Sequence, residues 1–191
     1  MNFLNIVKQR LKRLRDTFTN VNYLTTAYKD EVVAQKVLVE TYRNNFQSKG
    51  RDFRDVGFGI YSQHDEDGIL LYIFSLIGVE TYRAVEMCAG TGIECNTANL
   101  ILNHRWTALL VDGDRQNISK AKAFYSMRLE SMHWLPDIVE AWITRENINQ
   151  IVQSAGYEGE IDLLSLDPES VTSKIQPPVS PEFLQYFPET T

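Results

Sequence analysis

The sequence has few of the residues that cross-link small proteins or bind metals. Of its 191 residues only two are cysteines, Cys88 and Cys95, and neither has a C-x-x-C partner or a nearby histidine. This spacing disfavours both a zinc site and a disulfide framework. We expect both thiols to be buried, unreactive side chains.

Long apolar runs and positive charge are also scarce. The longest apolar run, from Ile69 to Val79, falls short of the roughly 18 residues that a membrane-spanning helix needs, and no signal-peptide pattern precedes it. The net charge of −6 gives no general attraction to phosphate backbones, so nucleic acid is not an expected partner. The sequence predicts a soluble, cytoplasmic protein.

Proline and glycine are unevenly distributed. Five of the six prolines lie beyond Asp167, where there is no glycine. Because proline cannot donate to a sheet ladder, no further regular strands are expected there. The sequence therefore predicts a helical N-terminal extension (1–60), a nucleotide-binding domain (61–167) and a proline-rich C-terminal tail (168–191).

The centre of the chain has the pattern of a nucleotide-binding βαβ unit. Residues 85–88 predict a buried strand, 89–92 a tight turn with two glycines, 93–103 a helix, and 106–111 a second strand that ends at Asp112. Glycine lets the backbone approach a ligand closely. The acid at the second strand can accept both hydrogen bonds of a ribose diol.

Two residues of the turn disfavour a dinucleotide. A dinucleotide fingerprint has a third glycine, and Cys95 stands at that place. Glu94, at the predicted helix start, would repel a diphosphate bound to the helix N-terminus. These two residues therefore argue against NAD as the ligand.

The flanking segments predict alternating helices and strands. Alternation of this kind is typical of a parallel sheet with right-handed crossovers. The predicted helices are residues 30–47, 65–76, 115–132 and 146–154, the further strands are 137–143 and 161–166, and residues 51–60 are predicted to be a loop.

Five segments, in this order, resemble FkbM-type class I S-adenosylmethionine-dependent methyltransferases. They are residues 61–70, 86–100, 109–114, 143–149 and 161–167. The resemblance implies an α/β fold, with a Rossmann-like, mostly parallel sheet in the order 3-2-1-4. It also implies S-adenosylmethionine as the cofactor and O-methylation of a hydroxyl on a sugar, a glycan or a small metabolite.

The resemblance assigns roles to individual residues. It places Glu86 near the amino group of the ligand, Asp112 at the ribose, and Asp167 where a carboxylate can orient or deprotonate the acceptor hydroxyl. The other implied cofactor-binding residues are Gln63, Asp67, Cys88, Ala89, Gly90, Gly92, Gly113, Thr144, Arg145 and Glu146.

Several of these roles have alternatives. Glu86 can instead brace a helix or loop, and Asp114 is either a rival ribose ligand or the cap of the next helix. His64 and His133 are alternative bases, although a solvated or structural role is more common for a lone histidine. No cluster of histidines and carboxylates has metal-ligand spacing.

The chain departs from the family after the fourth strand. The turn 167–170, with the sequence Asp-Pro-Glu-Ser, replaces the acid-x-acid-glycine turn of the family. The strand at 161–166 then becomes a leucine-rich edge, which tends to recruit a partner. The tail segment 183–187, a second copy of the chain or another protein can cover it. A catalytically impaired S-adenosylmethionine-binding or assembly module is therefore the alternative to an active enzyme.

Residues 1–18 predict a basic amphipathic helix. Its apolar stripe is flanked by lysines and arginines, and no acid precedes Asp16. Such a helix can lie on an anionic membrane surface, dock on an acidic partner protein, or pack on its own domain.

Overall fold

A computed structural model describes residues 30–45, 50–128 and 134–166. The chain divides into two compact units, Met1–Ser48 and Lys49–Thr191. In the first unit, residues 30–45 form helix α1, the described part of the helix predicted for 30–47. The predicted basic helix, His133, Asp167 and the tail lie outside the described residues.

The second unit is an α/β domain. Its helices are α2 (Phe53–Val56), α3 (Glu66–Ile77), α4 (Ala98–His104), α5 (Arg115–Ser126) and α6 (Ile148–Ser154), and its strands are β1 (Arg83–Met87), β2 (Thr107–Asp112), β3 (Asp137–Glu140) and β4 (Leu163–Leu166). All strand pairs are parallel, and the order is β3-β2-β1-β4. The predicted Rossmann-like fold and its strand order are confirmed.

The two central strands are buried on both faces. Ala84 of β1 and Leu110 of β2 belong to one apolar cluster, together with Trp106 and most of α4. Val85 and Leu109, the neighbouring residues on these strands, belong to a second cluster. Successive side chains point to opposite faces of a sheet, so a parallel strand covered on both sides requires a nearly continuous apolar sequence.

Helix α3 occupies almost the bounds predicted for it. It starts with the acids Glu66 and Asp67 and ends at Gly78, whose φ is 85° and whose N–H donates to the carbonyl of Phe74 (3.1 Å). Glycine adopts this backbone conformation without a steric penalty, and so it ends the helix. In the described part of the chain, no helix has the length and apolarity to cross a bilayer.

Several local predictions were wrong. The strand predicted for 137–143 ends at Glu140, where its partner β2 also ends at Asp112, and the helix predicted for 115–132 ends at Ser126. The predicted loop 51–60 contains α2, which Asp52 caps by accepting from the backbone N–H of Arg54 (2.9 Å). The helix predicted from residue 93 begins only at Ala98, because the preceding backbone N–H groups bind the carboxylate of Glu86. Apolar spacing carries no information about such contacts.

Strand β4 is an edge of the sheet as far as the structure describes it. It pairs with β1, and Ser165 lies opposite Glu86 in the register. Ser165 is buried, whereas the side chain of Leu164 is 58% exposed. The carboxyl ends of β1 and β4 thus meet at the point where the direction of chain connection reverses, the usual ligand position in this class of sheet.

Candidate functional site

The turn that follows β1 has a left-handed backbone at three positions. Cys88, Gly90 and Gly92 have φ values of 61°, 58° and 66°. For a residue other than glycine this conformation costs roughly 1–2 kcal/mol, and such strain concentrates at functional sites. A Cβ added at Gly90 would meet no atom within 4 Å, so a ligand can approach this backbone closely.

Residues of α5 and β2 pack against the turn. A Cβ added at Gly92 would lie 3.2 Å from Leu110 Cδ1 and 3.3 Å from Ala121 Cβ, so this glycine fills a closely packed position. The hydroxyl of Tyr125 donates to the carbonyl of Gly92 (2.8 Å). Burial raises the pKa of Tyr125 far above its ordinary value, which keeps the hydroxyl protonated and able to donate.

Asp112 joins the turn to the end of β2. Its carboxylate is buried and accepts from Gly90 N (3.0 Å), Asp114 N (2.8 Å) and Asn117 Nδ2 (3.2 Å). The glycine turn and the acid at the end of β2, the two elements of the predicted nucleotide site, are therefore in direct contact. A carboxylate has about four acceptor positions, so about one remains at Asp112, fewer than the two that a ribose diol would use.

The residues after Asp112 have structural contacts of their own. Asp114 caps α5 by accepting from the backbone N–H of Gln116 (2.7 Å), the alternative role considered for it. A Cβ at Gly113 would lie 2.5 Å from the ring of Trp142, so this glycine leaves room for the indole. The ring itself is about half exposed.

Glu86 holds the segment that leads into α4. Its carboxylate, almost fully buried, accepts from Asn96 N (3.2 Å), Thr97 N (2.7 Å) and the Ser165 hydroxyl (2.9 Å). Both carboxylate oxygens therefore have partners within the protein. These contacts match the bracing role considered for Glu86. They also occupy the backbone N–H groups of Asn96 and Thr97, which immediately precede α4.

A small polar cluster surrounds this carboxylate. Asn96 Nδ2 donates to the Ser165 hydroxyl (3.0 Å), and the sulfur of Cys95 lies 3.6 Å from the Thr97 hydroxyl. Burial, together with the nearby charge of Glu86, raises the pKa of the Cys95 thiol well above its ordinary value. Cys95 is therefore a buried, protonated thiol, as predicted. The burial predicted for Cys88 is wrong, because this residue lines the cleft and is only partly buried.

A cleft of about 650 Å³ opens over the turn. Its lining residues include three glutamates, Glu66, Glu86 and Glu94, and no lysine or arginine among the residues that the structure describes. The other lining residues are Gln63, His64, Cys88, Ala89, Gly90, Thr91, Cys95, Asn96, Asn117 and Leu166. The cleft is polar and carries negative charge.

Asp67 fixes the loop that leads into Gln63 and His64, two lining residues of this cleft. Its buried Oδ2 accepts from the backbone N–H groups of Ile60 (2.7 Å), Tyr61 (2.6 Å) and Ser62 (3.0 Å). In return, the backbone N–H of Asp67 donates to the Ser62 hydroxyl (3.1 Å). Asp67 is not a lining residue of the cleft, and its contacts give it the task of holding the loop that carries Gln63.

The structure divides the predicted cofactor-binding residues into three groups. Those that line the cleft are Gln63, Glu86, Cys88, Ala89 and Gly90, and those that support it from behind are Asp67, Gly92 and Asp112. Gly113, Thr144, Arg145 and Glu146 do not line it, and the last three are exposed in the turn after β3. The predicted catalytic residue Asp167 lies outside the described residues.

Sequence reasoning missed three polar residues that line or support the site. Ser165 carries a usable signal, because it is a single polar residue inside a leucine-rich strand. Asn96 and Asn117 carry none, since only the folded chain brings them to Glu86 and Asp112. Across residues 30–45, 50–128 and 134–166, no group of three or more histidine, cysteine or acidic side chains is placed to hold a metal ion.

Comparison with known proteins yields no match to a protein-family model, a curated protein or a solved structure. The geometry and charge of the cleft therefore provide the basis for assigning a function.

Proposed function

We propose that this protein binds S-adenosylmethionine in the 650 Å³ cleft and transfers its methyl group to a hydroxyl of a sugar, a glycan or a small metabolite. The charge of the cleft carries the proposal. The ligand has a positive sulfonium, a positive ammonium and no phosphate. A lining with three glutamates and no described lysine or arginine is complementary to such a molecule.

The start of α4 supports the same choice of ligand. In dinucleotide-binding domains, the backbone N–H groups at this helix start bind the pyrophosphate. Here Asn96 N and Thr97 N already donate to Glu86. A diphosphate would meet a buried carboxylate instead of open donors, which disfavours NAD.

Two features of the chain support this choice. Gly90 offers an open stretch of backbone that Asp112 holds in place, and Gln63 lines the same cleft. The ligand supplies an already activated methyl group. The protein then has to align the acceptor and remove its proton.

Calorimetric titration tests the ligand assignment. We expect S-adenosylmethionine and S-adenosylhomocysteine to bind, the former more tightly because of its sulfonium charge, and NAD to give no heat. If the protein binds NAD but not S-adenosylhomocysteine, the proposal is wrong.

A pair of glycine variants places the ligand at the turn. In Gly90→Leu the new side chain enters the cleft, and we expect the affinity for S-adenosylhomocysteine to fall at least about tenfold, or roughly 1.4 kcal/mol. Gly159→Leu is the matched control, because Gly159 also has a positive φ (89°) and no atom within 4 Å of an added Cβ. Equal affinities in the two variants would place the ligand elsewhere.

One observation favours the second candidate, an impaired S-adenosylmethionine-binding or assembly module. The sheet, as far as it is described, stops at β4, where Leu164 is exposed. This candidate predicts binding of S-adenosylhomocysteine without methyl transfer to any acceptor. Transfer of a labelled methyl group separates the two candidates.

A further inference from the structure

A second, smaller cleft adjoins the first. Its volume is about 400 Å³, and its lining residues are Ile60, Tyr61, Ser62, Gln63, Ile93 and Glu94. Gln63 and Glu94 line both clefts, so the two spaces meet at these side chains. A molecule in the second cleft would therefore lie beside Gln63 and Glu94, the two residues shared with the first cleft.

The wall of the second cleft is built into the fold. Asp67 holds the backbone of residues 60–62 through three hydrogen bonds to one buried oxygen. The loop is also closely packed: a Cβ at Gly59 would lie 2.2 Å from the carbonyl of His64, and one at Gly68 would lie 2.4 Å from the carbonyl of Val56. The shape of the cleft is therefore set before a ligand arrives, which lowers the entropic cost of binding.

The lining of the second cleft combines apolar and polar groups. Ile60 and Ile93 offer aliphatic surface, Ser62 and Gln63 offer hydroxyl and amide groups, and Glu94 is the one charged side chain among the described lining residues. A neutral ring compound with hydroxyls has the same mixture of apolar faces and polar edges. The single negative charge disfavours an anionic acceptor.

We propose that the second cleft binds the methyl acceptor, a neutral hydroxyl-bearing ring such as a pyranoside, and that Glu94 accepts the proton of the reacting hydroxyl. This inference rests on the proposed methyltransferase function. The acceptor oxygen forms a bond to the methyl carbon as the carbon–sulfur bond breaks. The sulfur keeps the electron pair of that bond, and the hydroxyl proton moves to the Glu94 carboxylate.

Binding of a probe tests the location. With S-adenosylhomocysteine at saturation, saturation-transfer NMR is expected to show methyl α-D-glucopyranoside bound to the wild-type protein. Ile93→Trp fills the second cleft, and we expect it to abolish the probe signal while the affinity for S-adenosylhomocysteine changes less than about threefold. No signal with the wild type, or an unchanged signal with Ile93→Trp, overturns the proposal.

Transfer of a labelled methyl group to the same probe tests the base. We expect Glu94→Gln to lower kcat by about 100-fold or more, the usual contribution of a general base, with little change in the affinity for the probe. Glu160→Gln, a change at an exposed glutamate, is the control. An unchanged kcat in Glu94→Gln, or no transfer to a probe that binds, overturns the role of Glu94.

The two proposals fail in different ways. If S-adenosylhomocysteine does not bind, the proposed function is wrong, whatever the probe does. If S-adenosylhomocysteine binds and the glycoside does not, the cofactor assignment stands and only the acceptor site is wrong.

Discussion

Glu86 shows how a single carboxylate can organise the wall of a cleft through hydrogen bonds within the protein. Its position on β1 predicts a contact with the amino group of a ligand, while its observed partners are two backbone N–H groups and the Ser165 hydroxyl. All three donors lie at the start of α4 or on β4. The same residue thus closes the helix start to phosphate and adds negative charge to the floor of the cleft.

Replacing Glu86 by glutamine tests this bracing role. One oxygen of the new amide can still accept, but its NH₂ group would face a backbone or hydroxyl donor and leave that buried donor without a partner. We expect the free energy of unfolding to fall by about 1–3 kcal/mol, measured by urea denaturation. Glu160→Gln, at an exposed position, should change it by less than about 0.5 kcal/mol. Equal stabilities would mean that these hydrogen bonds do not hold α4.

At the scale of elements, Asp162 ties the start of β4 to the segment before β1. Its carboxylate accepts from Glu80 N (2.9 Å), Thr81 N (2.8 Å) and the Thr81 hydroxyl (2.6 Å). Burial alone would raise the pKa of Asp162, but these hydrogen bonds outweigh it and hold the pKa below its ordinary value. These hydrogen bonds therefore stabilise the fold when the Asp162 carboxylate is ionised.

The stabilisation by Asp162 is expected to depend on pH in a defined direction. Because the pKa is lower in the folded than in the unfolded state, the contribution is complete above the unfolded-state pKa of about 3.9 and is lost as the pH falls through the folded-state pKa. Asp162→Asn should lower the free energy of unfolding by about 1 kcal/mol at pH 7, a small value because the site is partly exposed.

Urea denaturation at pH 7 and pH 3 measures this difference. The gap between wild type and Asp162→Asn should narrow at pH 3, whereas Asp65→Asn, at an exposed acid, should show no such gap. If the wild type and Asp162→Asn differ in stability by the same amount at pH 7 and pH 3, the charge of Asp162 is not the cause of the stabilisation.

At the scale of the whole molecule, the sheet is asymmetric. β3 and β4 are its described edges, and β4 presents Leu164 with 58% of its surface exposed. Exposed apolar edges recruit partners. A second copy of this chain, the tail and another protein remain the predicted covers, and docking of the predicted basic helix 1–18 on a membrane or an acidic partner also remains a prediction.

Sedimentation velocity tests whether a second copy of this chain covers β4. If a second copy covers β4, the wild type should self-associate, and Leu164→Lys should weaken that association at least about tenfold, or 1.4 kcal/mol, because a charge replaces the apolar contact. Ile77→Lys is the control, since Ile77 is 73% exposed at the end of α3. A monomeric wild type would exclude the second copy as the cover.

The sequence by itself determined the order and type of the central elements. The apolar runs of β1 and β2, the glycines of the turn and the stop at Gly78 are local properties, and the described structure follows them closely. They sufficed to predict a parallel sheet with right-handed crossovers, because the chirality rules for alternating strands and helices leave few arrangements. The strand order 3-2-1-4 was implied by the resemblance to FkbM-type methyltransferases and not by these local properties.

Only the tertiary structure decided which polar groups meet. Glu86 and Ser165 are 79 residues apart in sequence, and Gly90 and Asp112 are 22 apart, yet each pair is joined by a hydrogen bond. Periodicity reports which face of an element is apolar but not which distant donor a carboxylate finds. For the same physical reason, the late start of α4, the loop held by Asp67 and the second cleft follow from the folded chain alone.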